Sequence, residues 1–245
     1  MDGRDKPGHD EYAGPMKHTS ALIVGAGSGL SASLAKLMLK DGMQVALAAR
    51  SPQKLKEFSE ATGARTFNCD AAKRDDVAKL FDDLDAAKLT PDVVVYNPSY
   101  RVRGALLDLD PAEVEKTLAI TAFGGFLVAQ AAVKRMLPKG EGALLFTGAS
   151  ASVKGYAQSA PFAMGKFALR GLAQSLAREL GPQGIHVAHF VIDGGIASAR
   201  RPPDPASPDA LLDPDAIAQT YMQTLKQPRS AWSFEVELRP WVERF

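Results

Sequence analysis

Cysteine is nearly absent. Cys69 stands alone, which excludes an internal disulfide and any zinc site built on cysteine pairs, and suits a reducing cytoplasm. A lone thiol in a strand needs no function beyond packing. Charge of one sign is just as scarce: Lys and Arg number 29 against 28 Asp and Glu, a formal net charge of +1. No polyelectrolyte field therefore exists to gather nucleic acid or an anionic lipid surface. No apolar stretch reaches the roughly 20 residues that span a bilayer, and the first residues hold no run resembling a secretory signal. These exclusions leave a cytoplasmic protein whose partner is a small molecule.

What is present is enough apolar material for one core. With 46% of 245 residues hydrophobic, the length suits a single α/β domain. Residues 1–16 carry no apolar or helical period and read as a disordered extension, leaving 17–245 as the folded domain. Met16, just before the first strand, reads as the natural start. Short β-rich runs then alternate with longer stretches of helical period. The pattern predicts strands near 21–24, 45–48, 65–68, 93–96, 143–146 and 187–192, and helices near 30–40, 52–61, 75–87, 111–137 and 162–180. Such alternation predicts a doubly wound parallel sheet, Rossmann-like, with ligands beyond the carboxyl ends of the strands. Residues 200–214 hold Pro202, Pro203, Pro205, Pro208 and Pro214 and read as an irregular loop, followed by a helix over 215–225 and a half-covered strand over 234–238.

The densest signal lies between Leu22 and Ser31, where an apolar strand runs into Gly25, Gly27 and Gly29 and then straight into a helical stretch. Glycine lets the backbone turn tightly and approach a pyrophosphate, and the helix N-terminus offers unpaired N–H groups. The backbone of Gly25, Gly27, Ser28, Gly29 and Leu30 is the candidate phosphate cradle. The strict Gly-x-Gly-x-x-Gly spacing fails, because Leu30 holds its last glycine position.

The spacing Gly25-x-x-x-Gly29-x-Ser31 resembles the Gly-x-x-x-Gly-x-Gly turn of the short-chain dehydrogenase/reductase family, with Ser31 at the third glycine. Further matches follow in order: Cys69-Asp70 after the third strand, Tyr96-Asn97-Pro98-Ser99 where the family usually has Asn-Asn-Ala-Gly, and Lys166 early in the long fifth helix. The resemblance covers nearly the whole chain. It implies an NAD(P)-dependent oxidoreductase acting on a small carbonyl or alcohol. In the family an acidic residue ending the second strand selects NAD; here Ala49 holds that position and Arg50 follows. The resemblance thus points to NADP, with NAD still possible, because a guanidinium pairs bidentately with a 2′-phosphate. Asp70 would accept from the adenine amino group, although it equally suits a cap on the helix that follows. Asn97 would close the turn beside the adenosine ribose, where Pro98 removes a backbone donor. Ile196 would offer its backbone to the nicotinamide carboxamide, and Asp193 adds a carboxylate that the pattern does not assign.

The family's Asn-Ser-Tyr-Lys tetrad is incomplete. Residues four apart share a helix face, but the segment matching Tyr-x-x-x-Lys runs from Phe162 to Lys166, and phenylalanine has no ionisable proton. The serine position falls on Ala149, with Ser150 one residue away, and the asparagine position is Thr121. Lys166 alone is retained, and the resemblance also gives it the nicotinamide ribose to hold. Among nearby hydroxyls (Tyr100, Ser150, Ser152, Tyr156), Tyr100 is the preferred substitute donor. His186 and His189, three apart on a strand, point to opposite faces and make no metal site.

Two functions remain open. One is an NADP-dependent oxidoreductase with a nonstandard proton donor; the other is an NADP-binding pseudoenzyme serving as a sensor, regulator or assembly partner. The resemblance implies a homodimer or homotetramer, since helices 111–137 and 162–180 match the family's subunit-pairing helices. Residues 200–214, which would shape the substrate pocket, carry no recognisable chemistry.

Overall fold

Alternate residues of each central strand enter different cores. On one face Leu22, Val24, Val94, Tyr96, Leu144 and Phe146 are buried together, and on the other Ala21, Ile23, Val93, Val95, Ala143 and Leu145. Strands apolar on both faces require helices on both faces. The computed structural model describes residues 18–243; the disordered extension expected over 1–16 and the Met16 start lie outside the described residues. Strands β1 (Ser20–Val24), β2 (Gln44–Ala49), β3 (Arg65–Asn68), β4 (Val93–Tyr96), β5 (Gly142–Thr147), β6 (Ile185–Ile192) and β7 (Glu235–Leu238) form one sheet in the order β3-β2-β1-β4-β5-β6-β7. Every neighbouring pair is parallel. This is the doubly wound Rossmann-like sheet the sequence predicts.

Helices α1 (Leu30–Lys40), α2 (Lys56–Thr62), α3 (Arg74–Ala86), α4 (Pro111–Leu118), α5 (Gly124–Met136), α6 (Ala160–Leu180) and α7 (Pro214–Leu225) cover the sheet. Leu34 and Met38 of α1 and Ile217 and Tyr221 of α7 fill one core; Leu80 and Phe81 of α3, Val128 and Ala132 of α5 and Leu169 and Ala173 of α6 fill the other. Two helices differ from expectation. The one expected over 52–61 opens as a 3-10 turn, Pro52–Leu55, before α2. The one expected over 111–137 is broken by a π-helical segment, Ala119–Phe123. The break has a visible cause. The Tyr96 hydroxyl donates to Ile120 O inside the break at 2.5 Å, and Gly124 and Gly125 bring α5 hard against Tyr96 of β4. A Cβ at Gly124 would lie 2.7 Å from Ala71 O.

By length and composition alone the helical run Pro111–Lys139 is long and apolar enough to cross a membrane, which a count of unbroken apolar residues misses. Its Val128, Ala129, Ala132 and Met136 are packed in the core instead. His186 and His189 do lie on opposite faces of β6. His186 stacks on Trp232 and bonds Ser233 O at 2.9 Å, whereas His189 Nδ1 faces Glu235 Oε2 at 3.1 Å. Burial holds both imidazoles below their usual pKa, His189 down to about 4.

The packing at Gly124 predicts opposite signs for two substitutions. Gly124→Ala should lose about 1–3 kcal/mol through overpacking. Gly171→Ala, in α6 where a Cβ meets nothing within 4 Å, should gain about 0.5–1 kcal/mol. Equilibrium urea unfolding of both variants checks the pair.

Candidate functional site

The turn after β1 borders a cleft of about 500 Å³ at the carboxyl end of the sheet. Gly25 has φ +78°, and a Cβ there would lie 2.7 Å from Pro98 N, so backbone geometry and close approach both require glycine. At Gly27 and Gly29 a Cβ would meet nothing within 4 Å; these two border open space that a ligand backbone contact can use. Gly29 is the N-cap of α1 and no side chain caps the helix, leaving its first amides for an anion. Leu30 is buried, so only its amide is on offer, whereas Ser28 is exposed and lines the cleft. Ser31 closes the turn: its hydroxyl donates to Gly25 O at 3.3 Å and accepts from Asn97 Nδ2 at 2.9 Å. The structure thereby gives Asn97 a role in joining the turns after β1 and β4.

At the far end the cleft is lined by Ala49, Arg50, Ser51, Lys54, Cys69 and Asp70. Arg50 is exposed and no carboxylate pairs with it among the described residues. Lys54 is a second cation on the same wall, absent from the sequence reading; its signal was a spacing of four from Arg50 through the 3-10 turn. Asp70 spends one oxygen on the Ala72 amide, 3.2 Å away, and its own amide donates to Asp76 Oδ2 at 2.9 Å. It therefore shapes the turn before α3 without capping the helix itself, whose N-cap is Lys73. Burial, then Asp76 and Asp70, push the Cys69 thiol up to about 12, leaving it inert.

The inner cluster is assembled by α6. Phe162 and Lys166 lie one turn apart, with the Lys166 ammonium 6.0 Å from the Phe162 ring centroid. Helix α6 packs against both the 3-10 turn Ser150–Ser152 and the π-helical segment, which brings Ser150 and Thr121 to the same region. Lys166 is 2% exposed and donates to Thr147 O at 2.7 Å; burial lowers its pKa to about 8. The Thr147 hydroxyl in turn meets Tyr221 OH at 2.9 Å, a buried pair that braces the end of β5. Thr121 packs on Gly165, and its Oγ1 is buried without a hydrogen-bond partner. The Ser152 hydroxyl accepts from the Ala149 amide, while no hydrogen bond occupies that of Ser150.

Tyr100 is not brought into this cluster. Its hydroxyl donates to Glu113 Oε2 at 2.5 Å and accepts from Lys116 at 3.2 Å, with that ammonium 4.4 Å over its ring. The proton it would give is already held by a carboxylate on α4, and no hydrogen bond joins it to Lys166. Ile196 forms a parallel bridge with Leu212, in which the bonds run through Gly195 and Ala197 and leave the Ile196 amide unengaged. Asp193, unassigned in the sequence, is a buried bracket: its carboxylate lies 3.1 Å from Lys154 and 3.6 Å from Arg239.

Chemically, the cleft suits an extended ligand with a phosphate at the glycine turn and a second anionic group at Arg50 and Lys54. The inner cluster offers a buried cation, two unbonded hydroxyls and an aromatic face. The family described as short chain dehydrogenase matches residues 19–202. A solved short-chain dehydrogenase from Rhodopseudomonas palustris superposes with a TM-score of 0.79 at 34% identity, over 91% of this chain and 99% of that one. The (21S)-21-acetoxyl-apo-melianone synthase SDR of Melia azedarach is 29% identical over 171 residues, 68% of this chain and 63% of the relative's length. A metagenomic short-chain oxidoreductase solved in complex with NADP shares the fold, with a TM-score of 0.79 at 24% identity over 92% of this chain and 98% of that one.

The buried lysine predicts an alkaline rise in stability. Its pKa falls from 10.5 when unfolded to about 8 when folded, so the unfolded chain binds more protons between those values and stability rises with pH across that window. Lys166→Met should remove this component. Urea unfolding from pH 7 to 10.5 should show the parent gaining on the variant above pH 8; parallel curves would contradict the buried-cation assignment.

Proposed function

The chain belongs to the short-chain dehydrogenase family of oxidoreductases, and from that premise we propose an NADP-dependent oxidoreductase acting on a small carbonyl or alcohol, with a proton donor other than residue 162. The observation that carries this reading is the pair of cations, Arg50 and Lys54, on a cleft wall where Ala49 replaces an acid. A 2′-phosphate is a dianion, and two unneutralised cations favour it over a ribose hydroxyl. The NADP bound by the metagenomic fold neighbour is in keeping with this choice; NAD is the weaker ligand.

When bound, the dinucleotide supplies a hydride for the carbonyl carbon. The residues of the chain do the rest. The backbone of Gly25, Gly27, Ser28, Gly29 and Leu30 holds the pyrophosphate, the second oxygen of Asp70 receives the adenine amino group, and the Ile196 amide meets the carboxamide. Asn97 supports the turn beside the adenosine ribose. Lys166 holds the nicotinamide ribose. A proton must still reach the carbonyl oxygen, and Phe162, at the tyrosine position, has none to give. A positioned acid is worth about 10²–10⁴ in rate. The unbonded Ser150 hydroxyl is the donor assigned by this reading, and Thr121, at the asparagine position, keeps a buried Oγ1 without a hydrogen-bond partner. We place the protein in the cytoplasm as a homodimer or homotetramer, a choice supported by Phe123, Phe126 and Phe167, which stay exposed while Leu169 of α6 is buried.

One observation favours the pseudoenzyme as a second reading: no side-chain hydroxyl is hydrogen-bonded to the Lys166 ammonium, whose one hydrogen bond goes to Thr147 O. Calorimetric titration separates the two. NADPH should bind at about micromolar Kd and NADH much more weakly, and Arg50→Met should cost NADPH about 10–100-fold while leaving NADH unchanged. Equal binding of both nucleotides would overturn the Arg50 assignment, and binding of neither would overturn the enzyme. In a carbonyl screen following NADPH oxidation, the parent should turn over slowly and Phe162→Tyr faster by up to about 10²–10⁴. Tight binding with no turnover in the parent selects the pseudoenzyme.

A further inference from the structure

Arg101 stands over the ring of Phe162 in the inner cluster, the charges of Arg103 and Arg201 act on it, and among the described residues no carboxylate pairs with any of the three. Arg101 and Arg103 follow β4, and Arg201 comes from the proline-rich loop after β6. The Arg101 guanidinium carbon lies 5.0 Å over the centroid of the Phe162 ring, the same ring that Lys166 approaches at 6.0 Å. Their segments are pinned in place. Gly104 N donates to Gln158 O at 3.1 Å, which ties residues 101–104 to the loop entering α6. Arg201 and Ser198 exchange two backbone hydrogen bonds of 3.0 Å. The Arg201 guanidinium lies against the Gly195 backbone, where a Cβ would come within 2.6 Å of its carbon, one residue before Ile196. Burial, then the charges of Arg103 and Arg201, hold Arg101 below the usual arginine pKa.

Like charges drawn together repel, and a chain with a net charge of +1 has acids enough to separate or neutralise them. Among the acids of the same segments Asp108 and Asp204 form no ion pair with these arginines, Asp204 accepting the Ala206 amide instead, and other acids are committed to other cations. Asp193 is held by Lys154 and Arg239, Glu113 by Tyr100 and Lys116, and Glu235 by Arg170 and His189. Among the described residues no ion pair involves Arg101, Arg103 or Arg201. What holds Arg101 is the face of Phe162, a cation–π contact that leaves its N–H edge free. A guanidinium edge is built for a planar oxyanion.

We propose that the substrate is an organic anion, a carbonyl or alcohol compound carrying a carboxylate that Arg101 and Arg201 bind, with Arg103 adding positive potential at the mouth. This rests on the reading of Phe162 and Lys166 as the reacting end. It also gives residues 200–214 a chemistry, since the charge of their Arg201 acts on Arg101 from a loop that showed none in the sequence. The glycine turn and the Arg50–Lys54 wall already supply cations and amides for the phosphates of a dinucleotide, so the three arginines are left for a second ligand.

The test uses a panel of aromatic and aliphatic aldehyde carboxylic acids, among them 4-carboxybenzaldehyde, each matched with its neutral methyl ester. Binding is measured by calorimetry on the full chain, with and without saturating NADPH, for the parent, Arg101→Met, Arg201→Met and Arg101→Lys. At least one acid should bind the parent roughly tenfold or more tightly than its ester. Both Met variants should weaken the acid more than its ester and more than NADPH, bringing that ratio towards one, and Arg101→Lys should keep part of it. The proposal is overturned if no acid outbinds its ester, if the advantage survives both Met variants, or if the Met variants weaken NADPH as much as the acid, which would assign the arginines to the cofactor. Failure of NADPH to bind the parent, with an acid preference that depends on Arg101, would overturn the NADP reading and leave this one standing.

Discussion

All seven strands run the same way, and the ligand-facing side of the molecule follows from that. Parallel strands need a crossover between each pair, so every carboxyl end delivers its following loop to one edge. Val24, Ala49, Tyr96, Thr147 and Ile192 end their strands at that edge, and each hands over a different piece of chemistry: the glycine turn, Arg50, the segment with Asn97 and Arg101, the Ser150 turn, and the loop with Ile196 and Arg201. The order β2-β1-β4 sends the chain in opposite directions from β1, opening the crevice into which the glycine turn faces. Residues as distant in the chain as Arg101 and Phe162 meet because direction is shared.

At the centre of that edge stands a group that the fold does not favour. The Lys166 ammonium is taken out of water with a single backbone carbonyl as its hydrogen-bond partner among the described residues, and that burial lowers its pKa. The surroundings are built to hold it: Thr147 is braced by Tyr221, Tyr221 stacks on Phe190 with centroids 3.5 Å apart, and Gly165 lets α6 close on Thr121. The π-helical segment belongs to the same construction, since Tyr96 draws in Ile120 and the adjacent glycines seat α5 on the sheet.

Phe162 changes what this arrangement can do. A phenol in its place would set a hydroxyl within the domain of a lysine whose charge favours the phenolate. A bare ring removes the proton but keeps an aromatic face, and Arg101 lies over that ring with its guanidinium carbon 5.0 Å from the centroid. Residue 162 therefore offers no proton and carries a cation on its ring instead.

The sheet was legible from residues alone, because apolar runs such as Val93 to Tyr96 and the period of the helices between them are local patterns, and burial on two faces follows from composition. The glycine turn was legible for the same reason: φ at Gly25 and the open sides of Gly27 and Gly29 are properties of a few consecutive residues. The π-helical break was not, since it depends on Tyr96 reaching a carbonyl 24 positions away. Nor was the pairing of Asp193 with Lys154, the engagement of Tyr100 by Glu113, or the placing of Arg101 over Phe162. The sequence by itself determined the layers, the phosphate turn and which side chains lack a proton to give. Only the tertiary structure decided which charges remain unpaired, because pairing is set by distances between loops that the chain brings together only after the sheet has formed.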